Sequence, residues 1–267
     1  MSTKLTVIGT ESITPVVRRV FFRTDDLSAF AESAATDRYV KIVFPKPGVS
    51  YPEQLDMRAL RATLPPEQLP DVRTYTALFP DVAEGTVAID FVIHGDEGVA
   101  GPWAARASAG DTLRVNGPGG GYRPDATADW HLLVGDESAM PAITAALDDL
   151  ADDATAQVVL LIEAPGHEPV LPLTSDSSVR HVYREDDHGD GALLAAVRDL
   201  HWRPGRVHAF VHGEAQEIMH GLRPHLLKER GLGRDQVSIS GYWRRGRTED
   251  GFRVWKSELA QAEADAR

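Results

Sequence analysis

The sequence predicts a β-barrel followed by an α/β domain, and three observations carry that reading. As far as about residue 117, short β-branched and aromatic runs are separated by Pro, Gly and Asp, the pattern of a small antiparallel barrel. Beyond residue 130, strand-like runs alternate with helix-length segments, which implies a parallel sheet covered on both faces. Between them lies Gly117-Pro-Gly-Gly-Gly-Tyr-Arg-Pro124, a run of turn formers where one pattern gives way to the other. Domains over residues 1–122 and 123–267 follow, and 267 residues suffice for two cores.

In the first domain, strands are expected at 5–8, 20–22, 39–44, 75–79, 87–94 and 112–115, because each run is rich in Val, Ile, Phe, Tyr or Thr. The Pro-rich, charged stretch 45–71 reads as an excursion between strands, with a short helix at 56–63. In the second domain the order is strand 131–134, helix 138–150, strands 158–162 and 179–183, helix 192–200, strand 207–211, helix 216–230 and strand 237–239. A C-terminal helix is expected after Thr248: Glu249 and Asp250 suit its first turn, and Phe252, Trp255 and Leu259 form one apolar stripe.

Composition narrows the function. With no cysteine, the chain has no disulfide, thiol nucleophile or cysteine-held iron–sulfur cluster, so redox chemistry would need a bound organic cofactor. The histidines form no metal-binding helix motif. A net charge of −12 argues against nucleic acid as a partner. The charge is uneven, since residues 203–267 hold 12 Lys/Arg against 9 Asp/Glu, which suits an anionic ligand there. No stretch is long and apolar enough to cross a bilayer, and the N-terminus lacks the layout of a secretion signal, so no membrane association and a cytoplasmic location are expected.

The motif that points to a particular cofactor is Arg73-Thr74-Tyr75-Thr76. Residues two apart on a strand share a face, so Arg73 can grip a phosphate while Tyr75 stacks on a flavin ring and Thr76 reaches its redox-active edge. Asp90-Phe-Val92-Ile-His94-Gly95 closes a later strand, and Gly101-Pro102-Trp103-Ala104 then opens an Ala-rich helix. Its free N–H groups suit a pyrophosphate, and pairing that seat with Arg73 would hold a dinucleotide flavin, FAD. In the second domain, Gly135-Asp136-Glu137-Ser138 fills the first strand-to-helix turn. Its two acids would repel a pyrophosphate, so a loosely held or transient electron donor is expected there. Glu163, after the next strand, is placed to bond a ribose 2′-hydroxyl. Gly213-Glu214-Ala215 repeats the strand–turn–helix geometry. Gly241-Tyr242-Trp243-Arg244-Arg245 then offers an aromatic and cationic surface, with Tyr242 and Arg244 on one face.

Taken in order, these motifs, with Gly110-Asp111 and Gly117-Pro118, resemble the siderophore-interacting protein family, the FAD-containing ferric-siderophore reductases. The resemblance covers nearly the whole chain. It implies a ferredoxin-reductase-like architecture, an FAD-binding barrel followed by a Rossmann-like domain for NADH or NADPH. It also implies reduction of siderophore-held Fe(III) to Fe(II). Arg73, Thr74, Tyr75, Thr76, Asp90, Val92, His94, Gly101, Pro102, Trp103, Ala104, Tyr242 and Trp243 are then the FAD residues, and Asp136, Glu137, Ser138 and Glu214 the nicotinamide-nucleotide residues. Ala77 and Leu78 stand where family members often carry a hydrophobic residue and a second Arg.

Lys41, Arg244, Arg245 and Lys256 are the candidate receivers of an anionic ferric siderophore. Electron transfer to iron requires no general base, so no catalytic acid–base group and no metal ligand is assigned. Ferredoxin stands beside the nicotinamides as a candidate donor, and a monomer is expected. Two other readings remain open at this point: a flavin reductase or ferredoxin-type oxidoreductase with a non-iron acceptor, and a siderophore carrier with little turnover.

Overall fold

A computed structural model describes residues 2–52, 55–93, 95–96, 98–184, 191–247 and 251–252. His94, Lys256 and all of the expected C-terminal helix except Gly251 and Phe252 lie outside them. The chain divides into two compact units. One holds the chain through Pro124 with Thr144–Asp149 and Gly166–Pro172, and the other holds Asp125–Ile143, Leu150–Pro165 and the chain from Leu173 on.

In the first unit six strands close into a barrel in the order β1-β2-β5-β4-β3-β6, every neighbouring pair antiparallel. They are β1 (Thr3–Thr14), β2 (Val17–Arg23), β3 (Tyr39–Phe44), β4 (Asp71–Asp81), β5 (Thr86–Val92) and β6 (Thr112–Gly119). Alternation fills the interior: Val20 and Phe22, Val40, Ile42 and Phe44, and Ile89 and Phe91 enter one core at steps of two. Closure gives every strand of the barrel a neighbour on both sides. Short helices α1 (Ser28–Ala31), α2 (Met57–Thr63) and α3 (Ala100–Arg106) lie in the connections. Asp56 caps α2, its carboxylate accepting from the N–H groups of Arg58 and Ala59. From α3, Trp103 enters the core beside Phe22, Phe44 and Phe91, with ring centroids 6.3, 6.2 and 5.7 Å away.

In the second unit five parallel strands lie in the order β11-β10-β7-β8-β9. They are β7 (Trp130–Asp136), β8 (Ala156–Ile162), β9 (Ser178–Tyr183), β10 (Val207–Glu214) and β11 (Val237–Trp243). The central strands β7, β8 and β10 are buried at every position, as strands covered on both faces must be. Helices α4 (Met140–Asp148) and α5 (Ala192–Arg198) follow β7 and β9. The helix expected at 216–230 is present but wound wide, as π-helical stretches Glu217–Leu222 and His225–Glu229. Pro224 lies between them, where a residue without an N–H interrupts the regular ladder.

The order is the expected one, barrel first and parallel sheet second. The strand order places β7 between β8 and β10, so the direction of connection reverses at β7. Ligands of open parallel sheets gather at the carboxyl ends of strands flanking such a reversal.

Candidate functional site

Arg73 and Tyr75 share the interior-facing side of β4. Their partners across the strand pair are Ile42 and Val40, both core residues. Tyr75 leans on Phe91, ring centroids 4.6 Å apart, so the ring is fixed from inside and can present only its outer part to a ligand. Arg73 lies nearer the strand's start and remains partly exposed. One guanidinium nitrogen donates to the Val72 carbonyl at 2.9 Å, and another lies 3.9 Å from Asp71. Thr74 is exposed and Thr76 is buried. Ala77 and Leu78, which stand where the resembled family often carries a hydrophobic residue and a second Arg, are both buried.

The expected partner of this strand is the start of α3, and its geometry fits an anion. The residue before the helix, Val99, supplies no side-chain cap to the first-turn N–H groups. A Cβ at Gly101 would come within 3.2 Å of the Val92 carbonyl, so the bare glycine lets this turn lie against the end of β5. Pro102 and Ala104 are buried beneath it. With Arg73, these groups have the donors and the absence of side-chain bulk that a flavin dinucleotide's phosphates need.

Two expected cofactor residues act chiefly within the protein. The Asp90 carboxylate receives two parallel hydrogen bonds from Arg19 on β2, at 2.7 and 2.8 Å, and is buried. Arg19 also lies over the ring of Phe79, 5.1 Å from its centroid. Trp103 is part of the barrel's aromatic core, so the outermost atoms of its ring set what a ligand can touch.

The carboxyl edge of the parallel sheet differs from the expected pair of acids standing in an open turn. Asp136 is 1% exposed and turned inward. One of its oxygens accepts from the Ser138 N–H and hydroxyl, and the other from the Glu214 N–H at 2.9 Å and the Trp243 indole N–H at 2.8 Å. A single carboxylate thereby ties β7, β10 and β11 together with four donors, which offsets the cost of its burial. Gly213 permits the approach. Its φ of 149° lies in the left-handed range, and a Cβ there would come within 2.9 Å of the carboxylate.

Glu137 is likewise buried, and both its oxygens accept from Arg184, just past β9, at 2.7 and 2.6 Å. Burial pushes the Glu137 carboxyl upward from its ordinary range, and the guanidinium pulls it back. Glu214 accepts from the N–H groups of Gln216 and Glu217 through one oxygen. Through the other it accepts from the Arg244 guanidinium and the Arg245 N–H, each at 3.1 Å. Glu217 in turn accepts from the Leu193 N–H at 2.6 Å, at the start of α5.

A bulge between β10 and β11 pairs Glu214 with Trp243 and leaves Tyr242 as the extra residue. Strict alternation therefore stops before Tyr242, whose ring meets His212 edge-on at 4.9 Å while Trp243 reaches Asp136. Lys41 is exposed on β3, its ammonium 5.9 Å from the Tyr39 ring centroid, and Arg245 is exposed past β11. Among the described residues no group of three or more His, Asp or Glu is arranged to hold a metal ion, and no helix is long and apolar enough to cross a membrane.

Sequence reasoning missed Arg19, Arg184 and Glu217. Their partners lie 71, 47 and 24 residues away along the chain, beyond the reach of any local pattern.

Two family models match this chain, the siderophore-interacting FAD-binding domain over residues 6–122 and the siderophore-interacting protein model over residues 128–246. Ferric vibriobactin reductase ViuB of Vibrio cholerae is 30% identical over 236 residues, covering 88% of this chain and 86% of ViuB. An NADPH-dependent ferric-chelate reductase of Escherichia coli is 34% identical over 149 residues, 55% of this chain and 57% of that protein. The crystal structure of a siderophore utilization protein from T. fusca superposes with a TM-score of 0.78 at 31% identity, covering 93% of this chain and 94% of that one.

Proposed function

This chain belongs to the siderophore-interacting protein family, an FAD-binding family, and from that premise we propose that it reduces ferric siderophores, with NADH, NADPH or ferredoxin as the source of electrons. The observation that supports the proposal is the start of α3, where Val99 supplies no side-chain cap and the bare Gly101 lies against the Val92 carbonyl; Arg73 on β4 is the proposed partner of that seat. The reductase names of two relatives, each at 30% identity or above, support the choice of ferric chelate as acceptor.

Bound FAD supplies the ability to take a hydride and release its two electrons one at a time. The overall balance is one reduced nicotinamide and two Fe(III) complexes giving one oxidised nicotinamide, one proton and two Fe(II). The chain's own work is positional. Arg73 and the first-turn amides of α3 hold phosphate charge, Tyr75 backed by Phe91 fixes one side of the ring site, and the aromatic packing around Trp103 keeps water out of the barrel end. Lys41 in the first unit, and separately Arg244, Arg245 and Lys256 in the second, are the positive charges proposed to attract an anionic ferric complex. No residue is given an acid–base role, because an outer-sphere electron needs no proton acceptor on the protein.

Steady-state assay of FAD-loaded protein against a series of ferric siderophores tests this reading. The expected result is saturable reduction, faster than that by the same concentration of free FAD. Activity toward other acceptors with none toward ferric complexes would favour the flavin-reductase reading. Saturable binding without reduction would favour the carrier.

A further inference from the structure

Three helix starts meet the carboxyl edge of the parallel sheet, and each is served by a carboxylate of the chain itself. Asp136 takes the Ser138 amide before α4, Glu214 takes the Gln216 and Glu217 amides after β10, and Glu217 takes the Leu193 amide in α5. In sheets of this topology such amides are the usual seat of a dinucleotide's pyrophosphate. Here the protein's own anions hold those donors, so the pyrophosphate has little to gain at this edge.

The ribose end is different. Glu163 is the first residue past β8, the strand beside β7, and it is partly exposed. Among the described residues its carboxylate accepts no hydrogen bond. A carboxylate at that strand end suits a ribose 2′-hydroxyl, whereas a 2′-phosphate is accommodated by a nearby arginine. The Arg184 guanidinium feels the Glu163 charge, and one of its nitrogens already donates to both oxygens of buried Glu137. Adding a phosphate would bring its charge against Glu163, while Arg184 already balances the buried Glu137 carboxylate.

We infer that Glu163 makes this chain select NADH over NADPH, with recognition at the ribose rather than at the pyrophosphate. The inference rests on the proposed reading that a nicotinamide feeds the flavin.

Its test is a ligand-observed NMR titration of NAD⁺ and NADP⁺ against the FAD-loaded protein, which needs no turnover, beside kcat/KM for NADH and NADPH. The wild type should bind NAD⁺ on the order of tenfold more tightly than NADP⁺, the scale of one hydrogen bond to a charged group. Glu163→Gln should shrink that ratio severalfold and Glu163→Arg should reverse it, with FAD content and Tm unchanged. If Glu163→Arg does not fold, the Glu163→Gln ratio alone decides. Equal or tighter binding of NADP⁺, no saturable binding of either, or an unchanged ratio in Glu163→Gln would overturn the inference. Dithionite-reduced protein offered a ferric siderophore separates the two levels. Iron reduction there, with no nucleotide preference, removes the NADH inference and leaves the reductase reading standing.

Discussion

At Arg73 a single guanidinium is asked to hold phosphate charge, and its removal should be felt at the cofactor rather than in the fold. Arg73→Ala is expected to weaken FAD binding by about 2–3 kcal/mol, the scale of a lost charge-assisted contact, with Tm of the apoprotein little changed. Equilibrium dialysis or flavin fluorescence measures it, and normal FAD affinity in a folded variant would remove Arg73 from the site.

A second residue-scale prediction concerns His131, which sits 3% exposed in β7 with His208 edge-on at 6.3 Å. Burial lowers its pKa from the ordinary 6.5 to about 4. The neighbouring His208 adds to the drop, and Asp125 opposes it. The unfolded chain therefore takes up a proton near pH 6.5 that the folded chain refuses until about pH 4. Stability is full above pH 6.5 and falls as pH drops toward 4. Tm measured between pH 6.5 and 5, above the range where most carboxylates titrate, should decline, and His131→Gln should flatten the slope. An equal slope in the variant would contradict this account.

Among the elements, β-strands and helices were legible wherever one face or both are apolar, because periodicity records burial directly. The barrel strands and the alternating second half appear where the sequence places them, with ends moved by a few residues either way: β1 runs Thr3–Thr14 where 5–8 was expected, and α4 runs Met140–Asp148 where 138–150 was expected. The π-helical winding after β10 carried no such signal beyond Pro224. The site was legible only in part. Arg73 and Tyr75 do share a face, as a period of two requires, but that this face is the barrel interior depends on closure through the β1–β6 pairing. Asp136 and Glu137 read as repelling acids in a turn. Two donors to Asp136, the Glu214 N–H and the Trp243 indole, lie 78 and 107 residues further on, and Arg184, the donor to Glu137, lies 47 residues further on. Trp243→Phe removes one of the four donors to the buried Asp136 carboxylate and should cost about 1–2 kcal/mol of stability, read as a lower Tm with the fold intact. An unchanged Tm would mean that the indole bond contributes nothing to tying β11 to β7.

For the whole molecule, the governing facts are a net charge of −12 and a C-terminal quarter that carries more basic than acidic residues. An anionic ferric complex approaches an acidic protein only if local positive charge outweighs the general repulsion, and salt screens that local attraction over a distance of about 8 Å at physiological strength. Reduction of an anionic ferric siderophore should therefore slow steeply as salt is added, while reduction of a neutral acceptor should not. Equal salt dependence for both would remove the basic cluster from the account.

The central claim, that electrons pass from this flavoprotein to siderophore-held iron, is tested most directly by a single anaerobic turnover. FAD-loaded protein is reduced to completion and freed of reductant, then mixed with a ferric siderophore and a ferrous chelator while flavin and Fe(II)-chelator absorbances are followed together. The account predicts that the flavin spectrum returns as Fe(II) appears, two irons for each flavin reoxidised. A flavin that stays reduced in the presence of bound ferric siderophore, or reoxidises without any trapped Fe(II), would contradict it.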